Sequence, residues 1–459
     1  LSFRQSPIEV GKHFALDVAT CAKDGKTAPE SLRVDAQMPE HRHGMNYAPT
    51  VTATGPQRWR AEGLMFHMPG RWEFAFELRA KGSSDVLRSS FVLASSAVDF
   101  TDEEKRKILS HGPWPPKRRR DPSNRVSGRI EAVALGERLF FEPRLSGTGS
   151  VNCGTCHVPY RRFQDARARG FGLEDVDRNT PTVLNVRFNR WFGWDGANDS
   201  LWSQSIRPLL DPREMRSSAA IVASFLRNNE FFSRGYERAF GRSPPASNDE
   251  VLVDVGKALA AFQETLVSGR TPFDDFRDAV ERDDLSAQQR YPADAKRGLK
   301  IFIGKGNCSI CHFGAAFTNG EFADSGVSFF VRPGVVDPGR QGGIKKLLAS
   351  EFNLLGRFND EAPRDAGKSS AVSTRHVEAQ HRNFGEFRVP GLREVAETAP
   401  YMHNGSLATL EDVVRFYSEL DEERLHADGE KILRALHLSA QEIADLVSFL
   451  RSLSVAAPR

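Results

Sequence analysis

The sequence predicts a multidomain chain in which a small N-terminal β-sandwich precedes two mainly α-helical domains built alike. Three observations predict it. Residues 1–98 alternate apolar and polar positions between turns, as in Arg71-Trp72-Glu73-Phe74-Ala75-Phe76-Glu77-Leu78, the period of a strand with one buried face. Beyond residue 128, an apolar stretch at helical spacing runs twice into a turn bearing two cysteines and a histidine. A length of 459 residues leaves room for about three domains at roughly 150 residues each.

Composition excludes several function classes. Lys+Arg 63 against Asp+Glu 60 gives +3, so no charge imbalance points to nucleic acid or an anionic membrane. No run of 18 apolar residues exists, which argues against a membrane-spanning helix. Five cysteines are too few for a disulfide scaffold, and their number is odd.

In the first domain, residues 1–98, a second alternating run is Ser89-Ser90-Phe91-Val92-Leu93. Two short loops hold Met38, His41, His43 and Met45, and His67 and Met68. Such soft donors suit copper, and the six form a copper site if the loops meet; otherwise they fill space between strands. Cys21 has no evident partner and is expected to be a buried thiol. Residues 99–127 read as a linker, where Pro113-Trp114-Pro115-Pro116-Lys117-Arg118-Arg119-Arg120 predicts a stiff, solvated tether.

The next two domains, 128–285 and 286–459, carry the chemistry. The motifs are Cys153-Gly154-Thr155-Cys156-His157 and Cys308-Ser309-Ile310-Cys311-His312, 155 residues apart. Each is C-x-x-C-H, the attachment signature of c-type haem: two thiols add to one porphyrin and the adjacent histidine ligates iron. A zinc site would need two more ligands near each pair, and a redox dithiol would not need the histidine. The expected helices are Glu131–Phe141 and Ala295–Phe302, so the domains are two cytochrome c-like haem units. Because haem c is attached outside the cytoplasm in bacteria, the chain is expected to be a mature periplasmic form. Residues 360–383 are polar and aperiodic, predicting a loop over the second haem domain, and Ser439–Arg451 predicts a docked amphipathic helix.

The two units are unequally supplied with axial ligands. After His157 the next histidine is His312, and the only intervening methionine is Met215, so the first haem is expected to have an open site. The second half offers Tyr401, Met402, His403 and Tyr417; by frequency Met402 comes first and His403 second.

Over residues 128–459 the order of motifs resembles the dihaem bacterial cytochrome c peroxidase family, including its MauG-like branch. The resemblance rests on the two C-x-x-C-H sites, on Arg178-Asn179-Thr180-Pro181-Thr182-Val183-Leu184-Asn185, on Trp194-Asp195-Gly196, on Gln204, Pro208 and Glu214-Met215, and on Pro390-Gly391-Leu392-Arg393 with Thr398-Ala399-Pro400-Tyr401. It implies that His157 is the proximal ligand of the haem that meets hydrogen peroxide. It implies Glu214 as distal acid/base, Gln204 and Pro208 as pocket residues, Trp194 as the conduit between haems, and His312 as proximal ligand of the second haem. Asn179, Thr398 and Pro400 match positions that bind a calcium ion through oxygen. The N-terminal domain is similar to YtkA-like domains.

Two departures from the usual family pattern bear on function. Many members place a blocking histidine in the loop after the first motif, whereas Val158–Arg178 contains none, which implies an enzyme ready to react when fully oxidised. Members with methionine as sixth ligand of the second haem place it where this chain has Tyr417, as the MauG-like branch does. The resemblance therefore favours His312/Tyr417 over Met402, and an anionic oxygen ligand favours the oxidised haem. The expected function is a MauG-like peroxidase that activates hydrogen peroxide and oxidises a protein or another redox-partner donor. The alternatives are a conventional cytochrome c peroxidase, or a dihaem electron-transfer or copper-handling protein.

Overall fold

The computed structural model describes residues 2–5, 8, 11–21, 28–39, 43–45, 48–67, 70–81, 83–93, 98–117, 119–361, 369–424 and 432–455. The chain divides into two compact units, Leu1–Asp99 and Phe100–Arg459.

The first unit is built from the alternation seen in its sequence. Ser31–Met38 is exposed and buried at successive positions, so one face of the strand is apolar throughout. It lies in a four-stranded antiparallel sheet in the order His43–Gly44, Ser31–Met38, Gly70–Ala80, Ser83–Leu93. A second antiparallel sheet runs Ser2–Gln5, His13–Ala19, Arg58–Met65, Thr50–Gly55. The buried faces of both sheets form one core, in which Phe66 stacks on Trp72 at 4.3 Å and Phe14 meets Phe74 edge-on at 6.4 Å. Cys21, expected to be buried, is exposed, because it follows the end of His13–Ala19 rather than lying on its inner face.

The second unit contains the same construction twice. Helix Ile130–Phe140 packs on Asn248–Gln263, and helix Ala293–Ile303 packs on Ala440–Arg451, the last capped by Ser439 and Glu442. Both crossings are closest at a glycine. A Cβ on Gly136 would stand 2.0 Å from the Ala258 carbonyl oxygen, and one on Gly298 would stand 2.0 Å from that of Asp445. No other residue permits such contact. Each crossing centres its own hydrophobic core and leads into a C-x-x-C-H turn.

Two connecting segments differ from their sequence reading. The expected tether is built into the second core: helix Asp102–Ser110 buries Ile108, His111 stacks on Phe317 at 4.5 Å, and Trp114 donates Nε1–H to the Ser268 carbonyl at 3.0 Å. Its prolines space apolar side chains that repay burial, which outweighs the solubility of the neighbouring basic run. Within the 360–383 region, expected over the second haem domain, Ala371 joins the core of the first and Thr374 Oγ1 donates to Asp199 at 2.7 Å, while Ser373, His376 and Asn383 line the cavity at the second motif. The two halves are thus interleaved, as the ion pairs of Lys257 with Asp360 at 2.6 Å and of Arg178 with Asp337 at 2.7 Å also show. Among the described residues no helix is long and apolar enough to cross a membrane.

Candidate active site

The first motif forms a one-turn helix, Cys153–Cys156, after which the His157 N–H donates to the Cys153 carbonyl at 2.8 Å. The His157 ring is fixed by Nδ1, 3.1 Å from the Phe163 carbonyl oxygen. A carbonyl only accepts, so Nδ1 carries the proton and Nε2 keeps its lone pair. The second motif repeats this: the His312 N–H donates to Cys308 at 2.9 Å, and Nδ1 lies 3.0 Å from the Phe317 carbonyl oxygen. Burial lowers the pKa of both imidazoles, which favours the neutral ring.

Burial has the opposite effect on the thiols, pushing Cys153 and Cys308 up to about 12 and Cys156 to about 11. Redox dithiols work through a depressed thiol pKa, so this environment does not suit one. Each motif thus offers two thiols that can add to one porphyrin and one imidazole Nε2 that can ligate its iron. Cys308, Cys311 and His312 also line a cavity of about 920 Å³.

Helix Leu201–Leu210 furnishes one side of the first motif. Gln204, Arg207 and Pro208 stand three and four residues apart and so share a face. Gln204 Oε1 accepts from Asn198 Nδ2 at 2.9 Å and borders Gly193, the neighbour of Trp194. Glu214 lies in the turn that ends this helix, where the Met215 N–H bonds back to the Pro208 carbonyl at 3.2 Å. Arg207 Nη2 donates to Glu214 Oε1 at 2.7 Å. The Glu214 charge acts on Cys153, Cys156 and His157 together, so the carboxyl belongs to the first motif's surroundings. Arg207 was not singled out in the sequence; its place on the Gln204–Pro208 face was the available signal.

Tyr417, on helix Leu410–Ser418, lines the cavity at the second motif. Burial raises its pKa, and the nearby sulfurs of Cys308 and Cys311 raise it further. Met402 lines the same cavity from a left-handed backbone position, φ 73°. The His403 ring is buried and stacked on Phe387, centroids 3.6 Å apart, and burial lowers its pKa to about 4.

Three tryptophans that periodicity could not distinguish are separated by their surroundings. Trp202 is fully buried and donates to Ser123 Oγ at 3.1 Å; Trp191 is buried under the Arg340 guanidinium, 4.3 Å away. Trp194 alone of the three is half-buried, and both it and Trp191 line the cavity. Trp194 Nε1–H donates to the Asn179 carbonyl at 2.9 Å, and the Asn179 N–H donates to the His403 carbonyl at 2.7 Å, which joins the two halves. Asn179, Thr398 and Pro400 all line this cavity beside Trp194, and their amide and carbonyl oxygens are the hard donors calcium takes.

In the N-terminal unit, Met38 is buried in the core, Met45 packs against that core, and His67 meets Trp72 edge-on at 5.4 Å. His41 and Met68 lie outside the described residues, as does the side chain of His43. Among the described residues no cluster of three or more His, Cys, Asp or Glu could hold a metal.

The comparisons with known proteins bear on this arrangement. The family model for di-haem cytochrome c peroxidases matches residues 130–282. The chain is 36% identical over 325 residues to the methylamine utilization protein MauG of Methylorubrum extorquens, covering 70% of this chain and 78% of that one. A solved MauG-like protein associated with microbial copper homeostasis is 26% identical with a TM-score of 0.54, covering 75% and 96% of the two chains. The diheme peroxidase BthA of Burkholderia thailandensis shares the fold with a TM-score of 0.56 at 23% identity, covering 74% and 90%. The chain therefore belongs to the di-haem cytochrome c peroxidase family, in its MauG-like part, and is an oxidoreductase acting on peroxide.

Proposed function

We propose that the chain is a periplasmic enzyme with two covalently bound haem c groups that activates hydrogen peroxide at the first and stores oxidising equivalents at the second. Cys153, Cys156 and His157 hold one haem; Cys308, Cys311, His312 and Tyr417 hold the other. Bound there, haem supplies an iron for peroxide at the first motif and a reservoir for oxidising equivalents at the second. The chain's own residues divide the remaining work. Glu214 moves a proton between the two oxygens of peroxide, with Arg207 holding its carboxyl in place and Gln204 and Pro208 shaping the pocket. Trp194 carries charge between the haems. Asn179, Thr398 and Pro400 would hold a calcium ion through oxygen, and Asn179 also accepts the Trp194 Nε1–H. Tyr417, its pKa raised by burial, becomes a phenolate only against a cation, which ferric iron provides.

The observation that carries this reading is the unequal furnishing of two otherwise equivalent motifs. Glu214 with Arg207 stands by the first, no histidine occurs in Val158–Arg178, and a tyrosine stands by the second. The donor that the family resemblance implies is a protein or another redox partner. The test is absorption and electron paramagnetic resonance of the oxidised protein as isolated. One high-spin and one low-spin ferric haem that react with peroxide without prior reduction are expected. Two low-spin haems inert to peroxide would indicate an electron carrier, and reactivity only after reduction would indicate a conventional cytochrome c peroxidase.

A second reading, copper handling by the N-terminal unit, is favoured by the solved MauG-like relative associated with copper homeostasis. Elemental analysis of the unsubstituted protein against His41→Ala and His43→Ala tests it, and equal copper in all three would remove it.

A further inference from the structure

Four arginines are buried among the described residues: Arg277, Arg340, Arg388 and Arg393. Two have carboxylate partners. Arg277 pairs with Asp278 and Glu281, and Arg393 forms two bonds to Asp274 at 2.8 and 2.9 Å. Arg340 donates to the Asp195 and Gly196 carbonyls and lies against the rings of Trp191 and Phe322, at 4.3 and 3.9 Å. Arg388 differs. It is 8% exposed, its Nε donates to the Gly193 carbonyl at 3.3 Å, and its terminal nitrogens have no partner among the described residues. Among the described residues no carboxylate offsets its burial, which lowers its pKa to about 10. Removing a guanidinium from water costs several kcal/mol unless an anion meets it.

The position of Arg388 in the cavity bears on which anion meets it. Arg388 lines the space shared by Cys308, Cys311, His312 and Tyr417. Two residues on, Pro390 lines the same space, so Arg388 stands at the edge of the second motif's own pocket. Its backbone N–H also donates to the Trp194 carbonyl at 2.8 Å. Residue 388 thereby holds the carbonyls of Gly193 and Trp194, one with its side chain and one with its main chain.

We propose that Arg388 is the positioning residue for the second haem, pairing its free guanidinium nitrogens with a propionate carboxylate and tying that carboxylate to the Trp194 segment. This rests on the reading that the second motif holds a haem. Arg388 is then the electrostatic partner that sets the potential of that haem, and it connects the cofactor's edge to the conduit residue without touching iron.

The test is spectroelectrochemical titration of the holoenzyme and of Arg388→Gln and Arg388→Lys, with haem content measured for each. Arg388→Gln is expected to keep two haems and to shift the second haem toward ferric by at least about tenfold at a fixed potential, or about 59 mV for one electron. The first haem should be unmoved, and Arg388→Lys should stay within about threefold of the parent. An unchanged second potential in a two-haem Arg388→Gln protein overturns the proposal, and so does an equal shift in Arg388→Lys. An unsubstituted protein lacking two haems overturns the underlying reading instead. If Arg388→Gln does not accumulate, a crystal structure of the unsubstituted holoenzyme decides: a propionate oxygen within hydrogen-bond reach of Arg388 supports the proposal, and a guanidinium turned to other partners overturns it.

Discussion

Replacing Glu214 by glutamine tests the distal chemistry most directly. The substitution keeps the size of the side chain and leaves an oxygen for Arg207, now 2.7 Å from Oε1, but removes the group that moves a proton. Positioned general acid–base catalysis contributes about 10²–10⁴ in rate, so a loss of that size, about 2.7–5.4 kcal/mol of barrier, is expected in the reaction with peroxide. Stability should change little. Arg207 is 42% exposed and Glu214 21% exposed, so solvent screens the pair and it is worth about 1 kcal/mol or less. Arg207→Gln leaves the carboxyl in place without its tether and should cost about tenfold by mispositioning. The assay is stopped-flow absorption at the Soret band, mixing the oxidised protein with excess peroxide and reading the second-order rate constant. A Glu214→Gln protein with two haems that reacts within about threefold of the parent refutes the assignment, whatever happens to Arg207→Gln.

Three further outcomes are expected. Tyr417→Phe removes a single oxygen from the second pocket and should convert that one haem from low-spin to high-spin, read by electron paramagnetic resonance; an unchanged spectrum removes Tyr417 as ligand. Gly298→Ala would put a methyl 2.0 Å from the Asp445 carbonyl oxygen, so helices Ala293–Ile303 and Ala440–Arg451 must separate, at a cost of about 1–3 kcal/mol or more in thermal unfolding. Equal stability would mean that this crossing is not tight. His111 and His403, both buried and held near a pKa of about 4, stay neutral in the fold, whereas the unfolded chain protonates them near 6.5. Their contribution is therefore complete above about pH 6.5 and is lost as pH falls toward 4, by up to about 1.4 kcal/mol per unit for each; urea unfolding midpoints that are flat between pH 7 and pH 5 would contradict this.

What could be read from the sequence was what depends on neighbours along the chain. The strand alternation in Ser31–Met38 and the helices before each motif are short-range patterns, and the structure forms them within a few residues of their expected ends. Glu214 and Tyr417, which stand by the first and second motifs, could be singled out through the order of the motifs around them. Contacts between distant segments were not. Nothing in Leu354 or Phe358 announces that they belong to the first haem half, since a buried apolar residue does not name the core it joins. Arg207 is an ordinary helix-surface arginine in the sequence and becomes significant only through a partner seven residues away across a turn. The 101–128 segment misled for a related reason: its basic run is visible locally, while the pockets taken by Ile108, His111 and Trp114 are made by residues more than 150 positions later.

The two halves share the parts that the proposed haem attachment requires and differ in the residues brought up around them. In each, a glycine lets two helices touch, a short turn presents two thiols, and an imidazole is aligned by a carbonyl five or six residues on. None of those shared parts favours one chemistry over another. The differences come from elements outside the repeat: the turn after Leu201–Leu210 brings Glu214 to the first motif, and Leu410–Ser418 brings Tyr417 to the second. The elements that join the units are likewise not duplicated. Trp194 hangs on Asn179, Asn179 bonds to residue 403, and Arg388 holds the Trp194 peptide from the side of the second motif. A repeated fold therefore acquires direction through unrepeated residues, and substitutions at Glu214, Tyr417 and Arg388 should alter different steps of one reaction while leaving both attachment sites intact.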